Sequence, residues 1–167
     1  GTMLACCAEQ IVLGKQSNLG PIDPQFNGLS SHAIIEEYER AKAEILANPA
    51  ALQWWQFTLQ KVHPTLIGEC EKAIVWANEI VQKWLCTGMF AGQDDAEEKA
   101  KRICDELNNH HTTYAHARHI HLDKAKSIGL NIVELEGDQT LQDLVLTIHH
   151  CYMHSFGTSR AAKNIEN

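Results

Sequence analysis

Apolar residues return along most of this chain at intervals of three and four, the period of a helix with one buried face. Ile34, Ile35, Tyr38, Ala41, Ile45 and Leu46 trace the first stripe, entered through Ser30-Ser31 and stopped by Asn48-Pro49. A second helix is expected around residues 50–61 with Leu52, Trp55, Phe57 and Leu59 as its apolar positions. At that spacing the pair Trp54-Trp55 reads as core or subunit interface. The third pattern is the clearest: Cys70, Ala73, Ile74, Ala77, Ile80, Val81, Trp84 and Leu85 form one stripe between Pro64-Thr65 and Thr87-Gly88. Asp94 and Asp95 are expected to cap a fourth helix, with Ala100, Ile103, Cys104 and Leu107 facing inward and acids in its first turn. After a histidine-rich loop, Asp123 is placed to cap a short helix ending at Gly129. IVEL at 132–135 reads as a strand, and Leu141, Leu144, Val145, Ile148 and Cys151 mark a final helix. Strand-like segments are few and short, so a complete sheet needs strands from outside this chain.

Composition bounds the function classes. A chain of 167 residues, 44% of them hydrophobic, suffices for one core of ordinary size, and residues 1–167 are read as one domain. The net charge of −7, with no cluster of Lys or Arg, argues against a nucleic-acid or anionic-membrane surface. No apolar run approaches the roughly 20 residues of a membrane span. Cysteines stand at 6, 7, 70, 86, 104 and 151 with no C-x-x-C spacing, and the last four fall at apolar-looking positions. They read as reduced, buried thiols in a reducing compartment. GTMLACCAEQ lacks the basic and long apolar regions of a signal peptide. Its small, apolar residues pass into strand-like IVLG as if entered from upstream, and the chain is expected to begin inside a larger fold.

Chemistry concentrates in two places. LGPIDPQ, residues 19–25, sets Asp23 between Pro21 and Pro24 on backbone with little freedom. The segment reads first as a surface turn, and the alternative is a carboxylate held still to orient another group. The second place is histidine, in NNHHTTYAHARHIHLD (108–123) and HHCYMH (149–154). His150 and His154 stand at i, i+4, the spacing of two imidazoles on one helix face, with Asp143 and Thr147 on the same stripe. No third ligand stands at a recognised spacing, so a His stripe on the last helix is the simpler reading and zinc the alternative. His110 and His111 follow a helix end, where a cation favours the dipole. His116, His119 and His121 alternate along an extended loop, which lets one or two of them point inward. A fixed Asp and a loop His are two-thirds of a hydrolytic triad.

The chain resembles the serine dehydrogenase proteinase family, relatives of the Clp protease and signal peptide peptidase A in the Clp/crotonase superfamily. The resemblance runs through GTMLACCAEQIVLGKQSNLGPIDPQ, HPTLIGECEKA, KWLCTGMF with DDAEEKA, HARHIHLDKAKSIGL, LQDLVLTIHHCYMHSF and AAKNIEN. It implies an α/β fold, a Clp/crotonase-like stack of β-β-α units. This chain would be the mostly helical C-terminal portion of that protease domain, lacking the N-terminal strands.

The resemblance also implies a Ser-Asp-His triad in that chain order. The family's nucleophile motif looks like Ser-Ala-Gly-Thr-Met, and this chain opens at Gly1-Thr2-Met3, so the nucleophilic serine is expected upstream of Gly1. Asp23 matches the acid. The base matches His116, with His119 and His121 as fallbacks. The implied activity is that of a serine endopeptidase needing no cofactor, acting on polypeptides as a homo-oligomer, with these residues alone inactive. The resemblance places the protein in the cytoplasm or at the cytoplasmic membrane, any membrane attachment resting on upstream sequence. The alternative function is a non-catalytic or zinc-binding helical interaction module built on the His clusters, with His150 and His154 as ligands.

Overall fold

A computed structural model describes residues 1–108 and 119–161. A short helix α1 (Thr2–Ala5) leads into β1 (Ile11–Leu13) and β2 (Asn18–Leu19). A hairpin of β3 (Gln25–Phe26) and β4 (Leu29–Ser30) follows. The long helices are α2 (Ser31–Ala47), α3 (Leu52–Leu59), α4 (Leu66–Thr87) and α5 (Ala96–Leu107). β5 (Ile120–His121), α6 (Leu122–Ser127), β6 (Ile132–Glu134) and α7 (Gln139–Thr158) complete the described chain. It is an α/β arrangement dominated by helices. The strands pair two at a time: β1 parallel to β6, β2 antiparallel to β5, β3 antiparallel to β4.

Two-stranded pairs are marginal by themselves, so the helices carry the core. α4 packs against both α5 and α2. Val81 and Leu85 of α4 meet Ile103 and Leu107 of α5 in one buried cluster, which Ile11, Leu13, Leu19, Ile22, Ile120 and Ile128 join from the strands and loops. Alternation along β1 and β2 explains the recruitment: Ile11 and Leu13 are buried while Val12 is exposed, and Leu19 is buried while Asn18 is exposed. The β3–β4 turn has Asn27 at φ 51° and Gly28 at φ 82°, the left-handed pair that a two-residue hairpin requires.

The helices begin and end close to where the periodicity places them, and the departures have local causes. Ser30 caps α2 through its side chain, accepting from the Ala33 N–H at 3.2 Å. Asp95 does not cap α5 with its side chain. It pairs instead with Lys99 one turn on, at 2.9 Å, and that hydrogen bond lowers its pKa. Asp123 sits inside the first turn of α6, because β5 runs directly into the helix and leaves His121 at the cap position. GTMLA forms a helical turn before β1. Trp55 is buried as core, and its indole N–H donates to Glu44 at 2.8 Å, but Trp54 is 82% exposed. Cys70 and Cys104 are buried as expected, Cys86 is half-buried, and Cys151 is exposed, because α7 buries none of its residues.

One close approach fixes α1 against the end of α4. A Cβ at Gly88 would lie 2.8 Å from the Cys7 carbonyl oxygen and 3.0 Å from that of Trp84, both backbone atoms that cannot swing aside. Gly88→Ala is therefore expected to cost about 1–3 kcal/mol and lower Tm by roughly 3–10 °C in a circular-dichroism melt. An unchanged melt would contradict this contact.

Candidate active site

Polar groups converge where α1, β2 and the proline-flanked segment meet. Thr2, at the start of α1, is buried although polar. Its hydroxyl donates to the Gly20 carbonyl at 2.8 Å and accepts from the Gly20 N–H at 2.9 Å. Both hydrogen-bonding groups of one residue are thus held by one side chain. Beyond Pro21, Ile22 is buried, and its N–H donates to the Leu107 carbonyl at the end of α5, at 3.3 Å. Beyond Asp23, the Pro24 carbonyl accepts from the Ser31 N–H at the start of α2, at 2.8 Å. The backbone around Asp23 is therefore tied to three helices in turn, in addition to the φ constraint of its prolines. Asp23 is half-buried, with Oδ1 withdrawn from solvent.

These residues wall a groove of about 660 Å³. Its polar lining comes from Thr2, Asn18, Asp23 and Gln25, together with the backbone of Gly1 and Gly20. A second, apolar cleft of about 610 Å³ lies between the β3–β4 hairpin and α2, α3 and α4, lined by residues such as Phe26, Tyr38, Trp55 and Leu59. Gln25 belongs to the groove and its neighbour Phe26 to the cleft.

The histidine block reaches the same region through the β2–β5 pair. Asn18 stands opposite His121 and Leu19 opposite Ile120. Leu19 and Ile120 turn into the core, so Asn18, His121 and His119 share the outer side. His119 Nδ1 lies 2.9 Å from Asn18 Oδ1. Only the tautomer protonated at Nδ1 donates to that amide oxygen, and it leaves the Nε2 lone pair available as an acceptor. The rings of His119 and His121 are 6.1 Å apart. His116, with His110 and His111, lies outside the described residues.

Asn18 and Thr2 are site residues that the sequence pattern does not single out. Asn18 is marked only by its alternation with Leu19, and a threonine at a helix start has many ordinary explanations. The buried thiol of Cys6 is not a competing nucleophile. Burial pushes the Cys6 thiol up to about 12, with the nearby Cys104 and Cys7 contributing, and so it stays protonated near neutral pH. His150 and His154 lie on the exposed face of α7, and no group of three or more His, Cys, Asp or Glu able to hold a metal ion occurs among the described residues.

The Thr2 clamp has a measurable cost. Thr2→Val keeps the shape but removes donor and acceptor together, and is expected to destabilise by roughly 1–3 kcal/mol in urea denaturation, with the Gly20 amide exchanging faster. Thr2→Ser retains the hydroxyl and should hold the Gly20 protection. Equal protection in the valine variant would refute the clamp.

The family model for the ClpP-like SDH-type serine proteinase matches residues 1–155. An uncharacterized protein of Methanocaldococcus jannaschii, MJ1495, is 26% identical over 132 residues, which cover 79% of this chain and 38% of that protein. The chain thus spans well under half the length of that relative. No solved structure matches it. With the match running from the start of α1 through nearly all of α7, the chain belongs to the family of ClpP-like SDH-type serine proteinases.

Proposed function

We propose that the complete protein hydrolyses peptide bonds with a Ser-Asp-His triad to which this chain contributes the acid and the base. Asp23 is the acid. His116 is the first assignment for the base, with His119 and His121 as alternatives in the same block. The serine stands upstream of Gly1, at the head of α1, in a domain built as a stack of β-β-α units that upstream strands complete. One observation carries the reading: a carboxylate on backbone fixed at both sides lines a groove beside the start of α1, and the strand of the histidine block pairs with β2 on the same stretch. Membership of a serine proteinase family supports it.

The chemistry is acyl transfer. The imidazole takes the serine hydroxyl proton as the oxygen attacks the scissile carbonyl, then returns it to the leaving amine. Water repeats the sequence to release the acyl group. Asp23 holds the imidazole in one tautomer and stabilises the imidazolium that forms. A fixed carboxylate suits that task, because no reorganisation is needed at each turnover. Backbone N–H groups at the head of α1 belong to the oxyanion hole. Extended polypeptide is the substrate, and the working form is a homo-oligomer.

In the full-length protein, a fluorophosphonate probe should label the serine, and His116→Ala should abolish labelling. Normal labelling of that variant removes His116 from the triad, and His119→Ala and His121→Ala then decide between the alternatives. Asp23→Asn should lower the rate of casein hydrolysis by about 10³–10⁴-fold while leaving the fold intact. Full activity in that variant would sink the assignment of the acid. Residues 1–167 alone should hydrolyse neither casein nor peptide esters.

A further inference from the structure

Ser31 opens α2 and is fully buried, at 0% exposure. Its hydroxyl oxygen has no hydrogen-bond partner among the described residues. A buried hydroxyl in that state has given up its bonds to water and regained none, which native structures rarely tolerate. The side chain is enclosed, so its partner lies in its immediate surroundings.

Helix capping does not account for this hydroxyl. A serine at a helix start ordinarily turns its oxygen to a free N–H of the first turn. Here Ser30 does so, accepting from the Ala33 N–H at 3.2 Å. The Ser31 N–H is taken as well, donating to the Pro24 carbonyl at 2.8 Å. What remains is a hydroxyl with a proton to donate and no task in the helix.

The same backbone bond fixes what lies beside it. It holds Ser31 against Pro24, the residue that follows Asp23. Asp23 is half-buried, and its Oδ1 is withdrawn from solvent like the Ser31 hydroxyl. An ionised carboxylate only accepts, and its two oxygens have room for about four hydrogen bonds, so an imidazole partner leaves places for others. The competing acceptor is the Pro24 carbonyl. It already takes the Ser31 N–H, and a neutral carbonyl is a weaker acceptor than a carboxylate.

We propose that the Ser31 hydroxyl is a positioning group for Asp23, donating to the withdrawn side of its carboxylate directly, after a turn about χ1, or through one water. The inference rests on the reading of Asp23 as the triad acid. Ser31 holds one carboxylate oxygen toward the start of α2, so that the other faces the imidazole. It touches neither the substrate nor the nucleophile and acts through Asp23 alone.

Two double-mutant cycles on the full-length protein test this. The first compares urea midpoints of the wild type, Ser31→Ala, Asp23→Ala and the double variant, and it needs no activity. Ser31→Ala should lower the midpoint of the wild type and change it far less once Asp23→Ala has removed the acceptor. Equal shifts in both backgrounds would overturn the contact and assign the hydroxyl to the Pro24 carbonyl. The second cycle reads steady-state hydrolysis of casein. Ser31→Ala should lower kcat about tenfold at unchanged KM, as when one hydrogen bond to a charged group is lost. Ser31→Thr keeps the hydroxyl and should retain most of the kcat. Added to Asp23→Asn, Ser31→Ala should cost little more. Full kcat in Ser31→Ala, or an undiminished loss in the Asp23→Asn background, would refute the positioning role. The protease reading fails by different results, an inactive wild type or a fully active Asp23→Asn, and the urea cycle then still decides the contact.

Discussion

The Thr2 hydroxyl, donating to the Gly20 carbonyl and accepting from the Gly20 N–H, is the interaction on which the rest of the site depends. It joins the head of α1 to the strand leading into Asp23. Two residues after Gly20, Ile22 is held by α5, and Pro24 by α2. The order matters: the first anchor sets the distance between the helix head and the segment, and the other two set its direction. The prolines supply what hydrogen bonds cannot, a backbone with few other conformations to adopt in the unfolded chain.

Beneath the site, the core leaves no spare reactivity. Cys6 and Cys104 are buried, and burial pushes both thiols up to about 12, so they pack as small apolar side chains. Glu136 illustrates the opposite use of an acid. The Lys15 backbone N–H donates to it at 2.8 Å and lowers its pKa, tying the turn after β1 to the end of β6. Two acids, Asp23 and Glu136, thus have different tasks. Glu136 closes a loop against its neighbouring strand, whereas Asp23 lines the groove.

The long helices were legible because their burial is periodic. Val81 and Leu85 on α4, and Ile103 and Leu107 on α5, are the residues their stripes select. Asp95 and Asp123 were harder, since an acid near a helix start serves equally as a cap, an ion-pair partner or a first-turn charge. Lys99 and the direct passage from β5 to α6 decided between those options. At the site, the odd proline spacing around Asp23 was visible in sequence, but its anchors were not. Thr2, Leu107 and Ser31 are remote from one another along the chain and meet through tertiary packing alone. The Asn18–His119 contact spans 101 positions and has no local signature. α7 presents the converse case. Its stripe was legible, but a stripe says that a face is apolar and not what covers it.

Stability and chemistry are consequently separated in space. The β1–β6 and β2–β5 pairings, two or three residues long, could not stand alone, and they are held because inward residues of these strands enter the α4–α5 core. Their outward residues are then free to be polar, and Asn18, His119 and His121 occupy such positions. A substitution there opens no cavity, whereas one at Leu19 or Ile120 would loosen the platform and move the outward side chains with it. The groove is therefore positioned by residues that never enter it. Its precision is inherited from the helices, through Ile22 and the backbone bonds on either side of Asp23.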